Sequence, residues 1–296
     1  MTIHSYLQGG LGNQMFQYAI ARALSEHYKT NFALNRNWFD TDQGEATPRE
    51  LQLNQLNIKG VEISSDCFPK KPRGIKRLLQ KLLPIEPLVI YQRNAFSFDP
   101  TLFHLNALDR RDVYLSGYWQ AFRYIEAIKE QLQTEFQIKL GLLPQYLSYS
   151  EKINATDSVM LHVRRGDYVQ SAAAARYHTI LPITYYQDAM KDLLISVPNA
   201  HFFIFSDDLD WAKQAFTQVN QKTFIERTDA PNATAQELQL MIACKHHIIA
   251  NSTLSWWGAW LKKQEGGLVY APNLWVNDHA QDLSSLLPAT WKRITF

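Results

Sequence analysis

The sequence predicts an α/β protein built on parallel sheets and divided into two units of about equal length. After residue 150, near-continuous apolar segments alternate with helical segments, which is typical of a parallel sheet covered on both faces. The chain also opens with a short strand, a glycine-rich turn and an amphipathic helix, the start of a βα unit. At 296 residues it is long enough for two domains, and we expect units 1–150 and 151–296.

The composition and net charge indicate a globular protein and argue against other classes. A hydrophobic fraction of 46% with 20% charged residues is typical of a globular protein that forms a core. The net charge of +2 is too balanced to indicate nucleic-acid binding. The two cysteines, Cys67 and Cys244, have no disulfide or metal-site spacing. We find no signal peptide and no uninterrupted run of about 18 apolar residues, so we expect a soluble cytoplasmic protein.

The first unit begins with the strand "IHSYLQ", the turn "GGLGNQ" and a helix whose apolar residues recur at steps of three and four. A helix that starts at such a turn can hold an anion at its N-terminus. Gly10 and Gly12 match the G-x-G-x-x-G fingerprint of dinucleotide-binding domains, but Met15 occupies the third position. The sequence therefore does not favour nicotinamide dinucleotide binding.

The middle of the first unit is irregular and contains a basic segment, residues 70–83, with apolar residues at helical spacing. Such a segment can lie on an anionic membrane surface. The alternative is a surface helix that packs on its own domain and exposes its basic face to solvent. The strand and exit "VYLSGYWQ" follow, and the pattern then predicts a helix over 121–136.

The second unit carries polar side chains directly after the apolar runs "VML", "HFFIF" and "IIA" of three predicted strands. In an open parallel sheet, ligands bind at the carboxyl ends of the strands. Polar residues after three separate strands therefore predict a ligand site at this edge of the sheet. The residues concerned are His162, Arg164, Arg165 and Asp167 after the first strand, Ser206, Asp207 and Asp208 after the second, and Asn251, Ser252 and Thr253 after the third.

The residue types at these strand ends indicate a nucleotide with a pyrophosphate. Arginine offers a planar fork that suits phosphate oxygens. Ser252 and Thr253 precede a helix and add donors at its N-terminus. Asp207 and Glu237 suit guanine N–H groups or ribose hydroxyls. The chain has no G-x-x-x-x-G-K-[ST] loop, so a P-loop is excluded.

Several of these residues also have simpler interpretations. Asp167 can pair with a neighbouring arginine. The Asp207–Asp208 pair can hold a divalent ion, or Ser206 and Asp207 can instead cap the following helix, and we favour no metal. The tryptophans at 256, 257 and 260 are expected to pack in the core.

Taken together, "GGLGNQMFQYA", "GYWQ", "HVRRGDYV", "FSDD" and "CKHHIIANSTLSWWGAWL" resemble the motifs of bacterial α-1,2-fucosyltransferases of glycosyltransferase family 11. The resemblance runs from about residue 3 to about residue 275, and it is weakest over 60–110. It implies a GT-B-type fold with two Rossmann-like domains facing a cleft. The N-terminal domain would bind mainly the acceptor and the C-terminal domain GDP-fucose.

The resemblance also implies roles for individual residues. Arg164 would bind the β-phosphate and His162 would approach the guanosine. Glu237 would read guanine, and Arg165 and Asp207 are also expected to bind the donor. Ser252 and Thr253 would hold phosphate oxygens, and Gly12 and Asn13 would close over the pyrophosphate and fucose. Arg164, Asn13 and Asp167 are the expected catalytic residues. The general base stays open among Asp167, Asp40 and His178, because Ala172 stands where some distant fucosyltransferases have a glutamate.

The predicted reaction is transfer of L-fucose from GDP-β-L-fucose to the 2-hydroxyl of a β-galactoside, with inversion and without a metal or cofactor. Trp119 and Gln120 are expected to bind the acceptor together with Arg49, although Trp119 can instead belong to the core. One alternative is a fucosyltransferase of different linkage or acceptor. Another is a non-catalytic nucleotide-sugar or glycan-binding protein. A lipid-linked acceptor would give the basic segment 70–83 a role at the inner membrane.

Overall fold

The computed structural model describes most of the chain. The described residues are 1–44, 48–59, 62–66, 68–69, 87–105, 111–166, 176–177, 179–278 and 280–296. The basic segment 70–83 lies outside these residues, as do Asp167 and His178. Within the described part, no helix combines the length and the apolarity needed to cross a bilayer.

The N-terminal sheet has five parallel strands in the order β3-β2-β1-β5-β4. Its central strand β1 pairs with β2 on one side and with β5 on the other, so the strand order switches direction beside it. A crevice at such a switch point is where open α/β sheets bind ligands. The strands are β1 (Thr2–Tyr6), β2 (Asn31–Asn35), β3 (Glu62–Ser64), β4 (Leu88–Tyr91) and β5 (Val113–Ser116).

The C-terminal sheet has six parallel strands in the order β11-β10-β9-β6-β7-β8. Strand β6 is buried along its whole length and pairs with both β7 and β9, so this sheet also has its switch point beside a central strand. The strands are β6 (Ser158–Val163), β7 (His201–Ser206), β8 (Lys222–Phe224), β9 (His246–Ile248), β10 (Val269–Pro272) and β11 (Lys292–Ile294). Two parallel-sheet α/β domains confirm the predicted GT-B-type fold.

Seven α-helices accompany the two sheets in the described residues. They are α1 (Leu11–Tyr28), α2 (Lys129–Glu135), α3 (Pro144–Asn154), α4 (Ile183–Ser196), α5 (Leu209–Ala215), α6 (Ala233–Ala243) and α7 (Thr253–Trp260). Helix α3 packs on α6, which ties the segment before β6 to the second sheet. The two sheets thus separate between the end of β5 and the start of β6, and a boundary near residue 150 stays a prediction.

Helices α1 and α7 form the packed contact between the two domains. The Phe16 ring lies 4.6 Å and 4.7 Å from the rings of Trp256 and Trp257. Both tryptophans are fully buried and Trp260 nearly so, which confirms that they belong to the core. One continuous apolar cluster therefore includes residues of both sheets, and α1 is buried on all sides over most of its length because it lies between its own sheet and α7.

The predicted helix over 121–136 is wrong in its first half. An α-helix begins only at Lys129, after two short 3-10 turns at Phe122–Tyr124 and Glu126–Ile128. The Phe122 N–H donates to the carbonyl of Ser285, and the Tyr124 hydroxyl donates to the carbonyl of Ser97. These contacts with distant segments oppose the regular helix that the local pattern predicts.

Candidate functional site

The turn after β1 brings the first residues of α1 against the C-terminal domain. Gly9 has a φ of +77°, a conformation that glycine adopts without strain. Gly12 has no room for a side chain, because a Cβ there would lie 2.5 Å from Thr253 Oγ1 and 2.6 Å from the backbone nitrogen of Leu254. The Gly12 carbonyl accepts a hydrogen bond from Trp257 Nε1 at 3.0 Å. The N-termini of α1 and α7 therefore lie directly against each other.

That contact concentrates positive potential at one place. Each helix N-terminus has N–H groups without intrahelical partners and carries roughly half a positive charge from its aligned peptide dipoles. Ser252 is the residue that precedes α7, and its side chain makes no capping hydrogen bond. Two helix N-termini and the Ser252 and Thr253 hydroxyls thus form a site suited to an anion such as a pyrophosphate.

Two buried glutamines hold the loops around this turn, and the sequence analysis missed both. Gln14 Nε2 donates to the carbonyls of Gly9 and Glu50, and its Oε1 accepts from the backbone N–H groups of residues 52 and 53. Gln17 accepts from the Gln8 N–H and donates to the Gly117 carbonyl. The motif "GGLGNQMFQYA" could have indicated this role, because both glutamines are polar residues at positions on the buried helix. Together they fix the loops after β1, β2 and β5.

The loop after β5 delivers Gln120 to the same turn but buries Trp119. Gln120 Nε2 donates to Asn13 Oδ1 at 3.1 Å, which joins one predicted acceptor residue to a predicted catalytic one. Trp119 is only 2% exposed, and its ring packs edge-on to Tyr124. Its φ of +54° is held because Gln92 Oε1 accepts from its backbone N–H at 2.7 Å. This burial favours the core interpretation of Trp119, because its ring offers no open face, and a role in acceptor binding stays a prediction.

The predicted residues Arg49 and Asp40 lie on the loops that follow β2. Arg49 belongs to the segment beside Glu50 that Gln14 holds, so it stays near the turn, and its backbone is paired with Gln43. Asp40 forms a surface ion pair with Arg36 at 2.8 Å. That pairing gives Asp40 a structural partner, and its candidacy as general base gains no support.

In the C-terminal domain, residues after β6 and β7 form a charged cluster. Arg164 Nη1 lies 3.0 Å from Asp207 Oδ2, and Asp207 Oδ1 accepts from the Arg165 backbone N–H at 2.8 Å. Burial acts to raise the pKa of Asp207, but the charge of Arg164 and the N–H groups of Gly166 and Arg165 outweigh it and hold this pKa below its usual value. Asp207 therefore stays ionised and fixes Arg164 and the loop after β6.

His162 precedes this cluster as an uncharged imidazole. Burial, reinforced by the charge of Arg164 and opposed by that of Asp207, lowers the pKa of His162 to about 4. At neutral pH the ring thus offers one donor and one acceptor. Its Nδ1 is buried and has no hydrogen-bond partner among the described residues. A buried polar atom without a partner is where a ligand group can bind.

The second arginine of the motif is engaged differently from the first. The Arg165 guanidinium lies over the Trp211 ring at 4.6 Å, and its Nε is 3.6 Å from Asp208 Oδ2. Asp208 itself caps α5 by accepting from the Trp211 N–H at 3.2 Å. The helix cap is therefore the second aspartate, Asp208, and not Ser206 with Asp207 as expected. The prediction that Arg165 binds the donor gains no support from these contacts.

Glu237 on α6 faces the same cluster. Its Oε2 lies 3.0 Å from Arg227 Nη1, an arginine that the sequence analysis missed. Burial raises the pKa of Glu237 to about 7, against the opposing charges of Arg227 and Arg164. Since the charges of Arg164 and Asp207 both affect the pKa of this carboxyl, the three groups lie close to one another. Glu237 can therefore accept or donate a hydrogen bond near neutral pH.

Two other features bear on the location of the site. The described residues contain no group of three or more histidine, cysteine, aspartate or glutamate side chains able to hold a metal ion. A cavity of about 650 Å³ lies at the other end of α1, lined by residues that include Arg22, Glu26 and Lys29. That cavity is remote from the carboxyl ends of the strands. We locate the site from the two switch points and the converging helix ends.

Comparisons with known proteins identify the family. Residues 99–294 match the family described as Glycosyl transferase family 11. The chain is 33% identical to an alpha-1,2-colitosyltransferase of Escherichia coli, with 97% of each chain covered. It is 30% identical to the O-antigen biosynthesis glycosyltransferase WbnK of Escherichia coli, over 92% of this chain and 94% of that protein.

More distant similarities were also found. The chain is 23% identical to a galactoside 2-alpha-L-fucosyltransferase SEC1 of Bos taurus, over 54% of this chain and 45% of that protein. Among solved structures, the fucosyltransferase NodZ from Bradyrhizobium aligns with 87% of this chain and 91% of its own. The sequence identity is 12% and the TM-score 0.48, too low to align individual site residues.

Proposed function

The chain belongs to glycosyltransferase family 11, and we propose that it transfers L-fucose from GDP-β-L-fucose to the 2-hydroxyl of a β-galactoside with inversion. One observation carries the proposal. The N-termini of α1 and α7 converge beside the strand end that presents Arg164. The β6–β9 register pairs Leu161 with Ile248, and continuing it by three residues sets Arg164 level with Asn251, next to Ser252. A dianionic pyrophosphate fits this concentration of positive charge.

The remainder of the donor is proposed to lie along the C-terminal domain. Glu237 and the neutral His162 ring supply the hydrogen-bonding groups that a guanine base and its ribose need. Asp207 acts in this proposal as a positioning residue, because it holds Arg164. From the N-terminal domain, Asn13 would reach over the sugar.

The proposed reaction needs stabilisation of the leaving group above all. As the bond between fucose and GDP breaks, negative charge builds on the β-phosphate while the sugar becomes oxocarbenium-like. Arg164 and the two helix ends are fixed before the reaction begins, so they neutralise this charge without reorganisation. We therefore expect turnover without a metal ion. The acceptor hydroxyl also needs a base, and Asp167 stays a proposal for that role.

Asn13 and Gln120 are proposed to position the sugar at the join between the domains. Their hydrogen bond links the turn after β1 to the loop after β5. Gln120 keeps its second amide hydrogen for a ligand hydroxyl. A sugar ring placed here would lie between the anion site and the N-terminal sheet, where an acceptor can approach.

A second candidate donor follows from a relative's name. Colitose is L-fucose without its 3-hydroxyl group, and the relative that is 33% identical to this chain is named a colitosyltransferase. Since the pyrophosphate site would be the same for both donors, only contacts to the 3-hydroxyl can separate them. A site built to hydrogen-bond that hydroxyl rejects the deoxy sugar strongly, by about 10⁴-fold or more.

The deciding experiment offers both donors with lactose in the presence of EDTA, and the product linkage is determined by NMR. An α-1,2-fucosylated product would support donor, linkage and metal independence together. Preferred transfer of colitose would replace the donor while retaining the site. GDP binding without transfer to any glycan would support the non-catalytic alternative and contradict the proposal.

A further inference from the structure

Two exposed tyrosines, one from each domain, belong to segments that adjoin the proposed site. Tyr118 is 37% exposed and Tyr177 is 52% exposed, and they belong to the few large apolar side chains that the described residues expose. Tyr118 comes from the loop after β5, and Tyr177 from the segment between β6 and α4. Neither ring is needed to fill the core, so their placement calls for another role.

The backbone of Tyr118 is fixed by its neighbours. Its N–H donates to Gln92 Oε1 at 3.0 Å, and the same oxygen accepts from Trp119. Gly117 precedes it without room for a side chain, since a Cβ there would lie 2.5 Å from Gln92 Cβ. Gln120, two residues further on, is bonded to Asn13. The backbone that carries the Tyr118 ring is thus fixed, two residues from Gln120 of the proposed sugar-positioning pair.

The backbone around Tyr177 is fixed by hydrogen bonds to other segments of the C-terminal domain. Its carbonyl accepts from the Asn277 N–H at 2.9 Å, and the Asn277 side chain donates to the carbonyl of Arg176 at 3.0 Å. Thr179 is held by Asn251, whose Nδ2 donates to its carbonyl at 2.8 Å. Because Asn251 directly precedes Ser252, the Tyr177 segment borders the proposed phosphate site.

The two side chains lie close enough to affect each other. Burial raises the pKa of Tyr118, and the neighbouring Tyr177 raises it further. Each ring also belongs to a segment that is hydrogen-bonded to the proposed site, Tyr118 through Gln120 and Asn13 and Tyr177 through Thr179 and Asn251. Neither tyrosine carries a charge at neutral pH, so the surface they make suits an uncharged ligand better than the anionic donor.

We propose that Tyr118 and Tyr177 form the acceptor subsite, which takes the terminal β-galactoside of an uncharged glycan. This inference rests on the proposed function. A tyrosine ring supplies a flat apolar surface for the C–H face of a sugar, and its hydroxyl can hydrogen-bond the sugar's own hydroxyls. Since one ring comes from each domain, the acceptor is held across the domain join, with its 2-hydroxyl toward the fucose.

The test compares alanine and phenylalanine substitutions at both positions. For Tyr118→Ala and Tyr177→Ala we expect the KM for lactose to rise by about tenfold, because a stacked ring is lost. Tyr118→Phe and Tyr177→Phe keep the ring and should stay within about threefold of the wild type. The double alanine variant should raise KM by less than the product of the single effects, because both rings hold one sugar.

Two further measurements separate a binding role from a structural one. The GDP dissociation constant, measured by calorimetry, should stay within about twofold in all of these variants. Ile195→Ala is the control, since it removes an exposed apolar side chain from α4, and it should leave KM unchanged. Lactose KM values that are unchanged in both alanine variants, with intact GDP binding, would overturn the tyrosine assignment alone. Failure of the wild type to bind GDP would instead overturn the proposed function.

Discussion

Replacement of Arg164 by alanine separates the catalytic role of this arginine from its structural one. In the folded protein its guanidinium lies 3.0 Å from Asp207, with both side chains about one-fifth exposed. Two unit charges at that distance attract by about 5 kcal/mol at an effective dielectric constant of about 20. Desolvation offsets most of this, and Asp207 keeps two backbone N–H donors. We therefore expect Arg164→Ala to lower the free energy of unfolding by about 1–2 kcal/mol.

The expected loss of activity is larger than the loss of stability. Removal of one preorganised donor from an oxyanion site costs on the order of 10²–10³ in kcat, or about 2.7–4 kcal/mol. Arg164→Lys should recover part of this loss, because it restores the charge without the planar fork. Initial rates at saturating GDP-fucose and lactose measure the effect, and urea unfolding of the same samples confirms that the variants are folded.

Arg165→Ala is the matched control, because it removes the neighbouring arginine of the same motif. Its contacts are with Trp211 and Asp208, so we expect a loss of about 0.5–1 kcal/mol in stability and a kcat within about threefold of the wild type. The reasoning is refuted if Arg164→Ala keeps more than about a third of the wild-type kcat. It is equally refuted if the two alanine variants lose the same activity.

The remaining predictions concern the domain contact and Glu237. Gly12→Ala would place a Cβ 2.5 Å from Thr253 Oγ1 and should destabilise the protein by about 1–3 kcal/mol. Gly10→Ala, with no atom within 4 Å, should be nearly neutral in the same thermal melts. Trp257→Phe loses the hydrogen bond to Gly12 and should cost about 1 kcal/mol or more in urea unfolding. Because burial raises the folded-state pKa of Glu237 from 4.5 to about 7, the folded state binds its proton more tightly than the unfolded one. Its stabilising contribution is thus full below about pH 4.5 and is lost as the pH rises to about 7, by about 3 kcal/mol. Glu237→Gln should remove this part of the pH dependence, and equal slopes of stability against pH in the two proteins would contradict the raised pKa.

The sequence predicted the sheets and the edge where the site lies, for a physical reason. Buried parallel strands are continuous apolar runs, and their carboxyl ends meet at one edge, so polar residues after "SVMLHV" and "HFFIFS" had to come together. The structure places Arg164 against Asp207 at that edge. The turn "GGLGNQ" could be predicted from the sequence as well, because a glycine-rich strand-to-helix turn has few structural alternatives.

The contacts between distant segments could not be read from the sequence. Nothing local indicates that Gly12 meets Thr253, or that Phe16 packs on Trp257, because both contacts depend on how two domains dock. Trp119 was undecided for the same reason, since its burial follows from a left-handed backbone that Gln92 holds. The basic segment 70–83, Asp167 and His178 lie outside the described residues, and the expectations for them stay predictions.

Calorimetric comparison of GDP with GMP binding, in EDTA, for the wild type and Arg164→Ala tests the proposed phosphate site. The proposed function requires the β-phosphate to lie at Arg164 and the two helix N-termini. It predicts that the wild type binds GDP at least about tenfold more tightly than GMP, because a charge-assisted phosphate contact contributes about 1.5–3 kcal/mol. Arg164→Ala should lose most of that preference while its GMP affinity changes little. Equal affinities for GDP and GMP in the wild type would contradict the account.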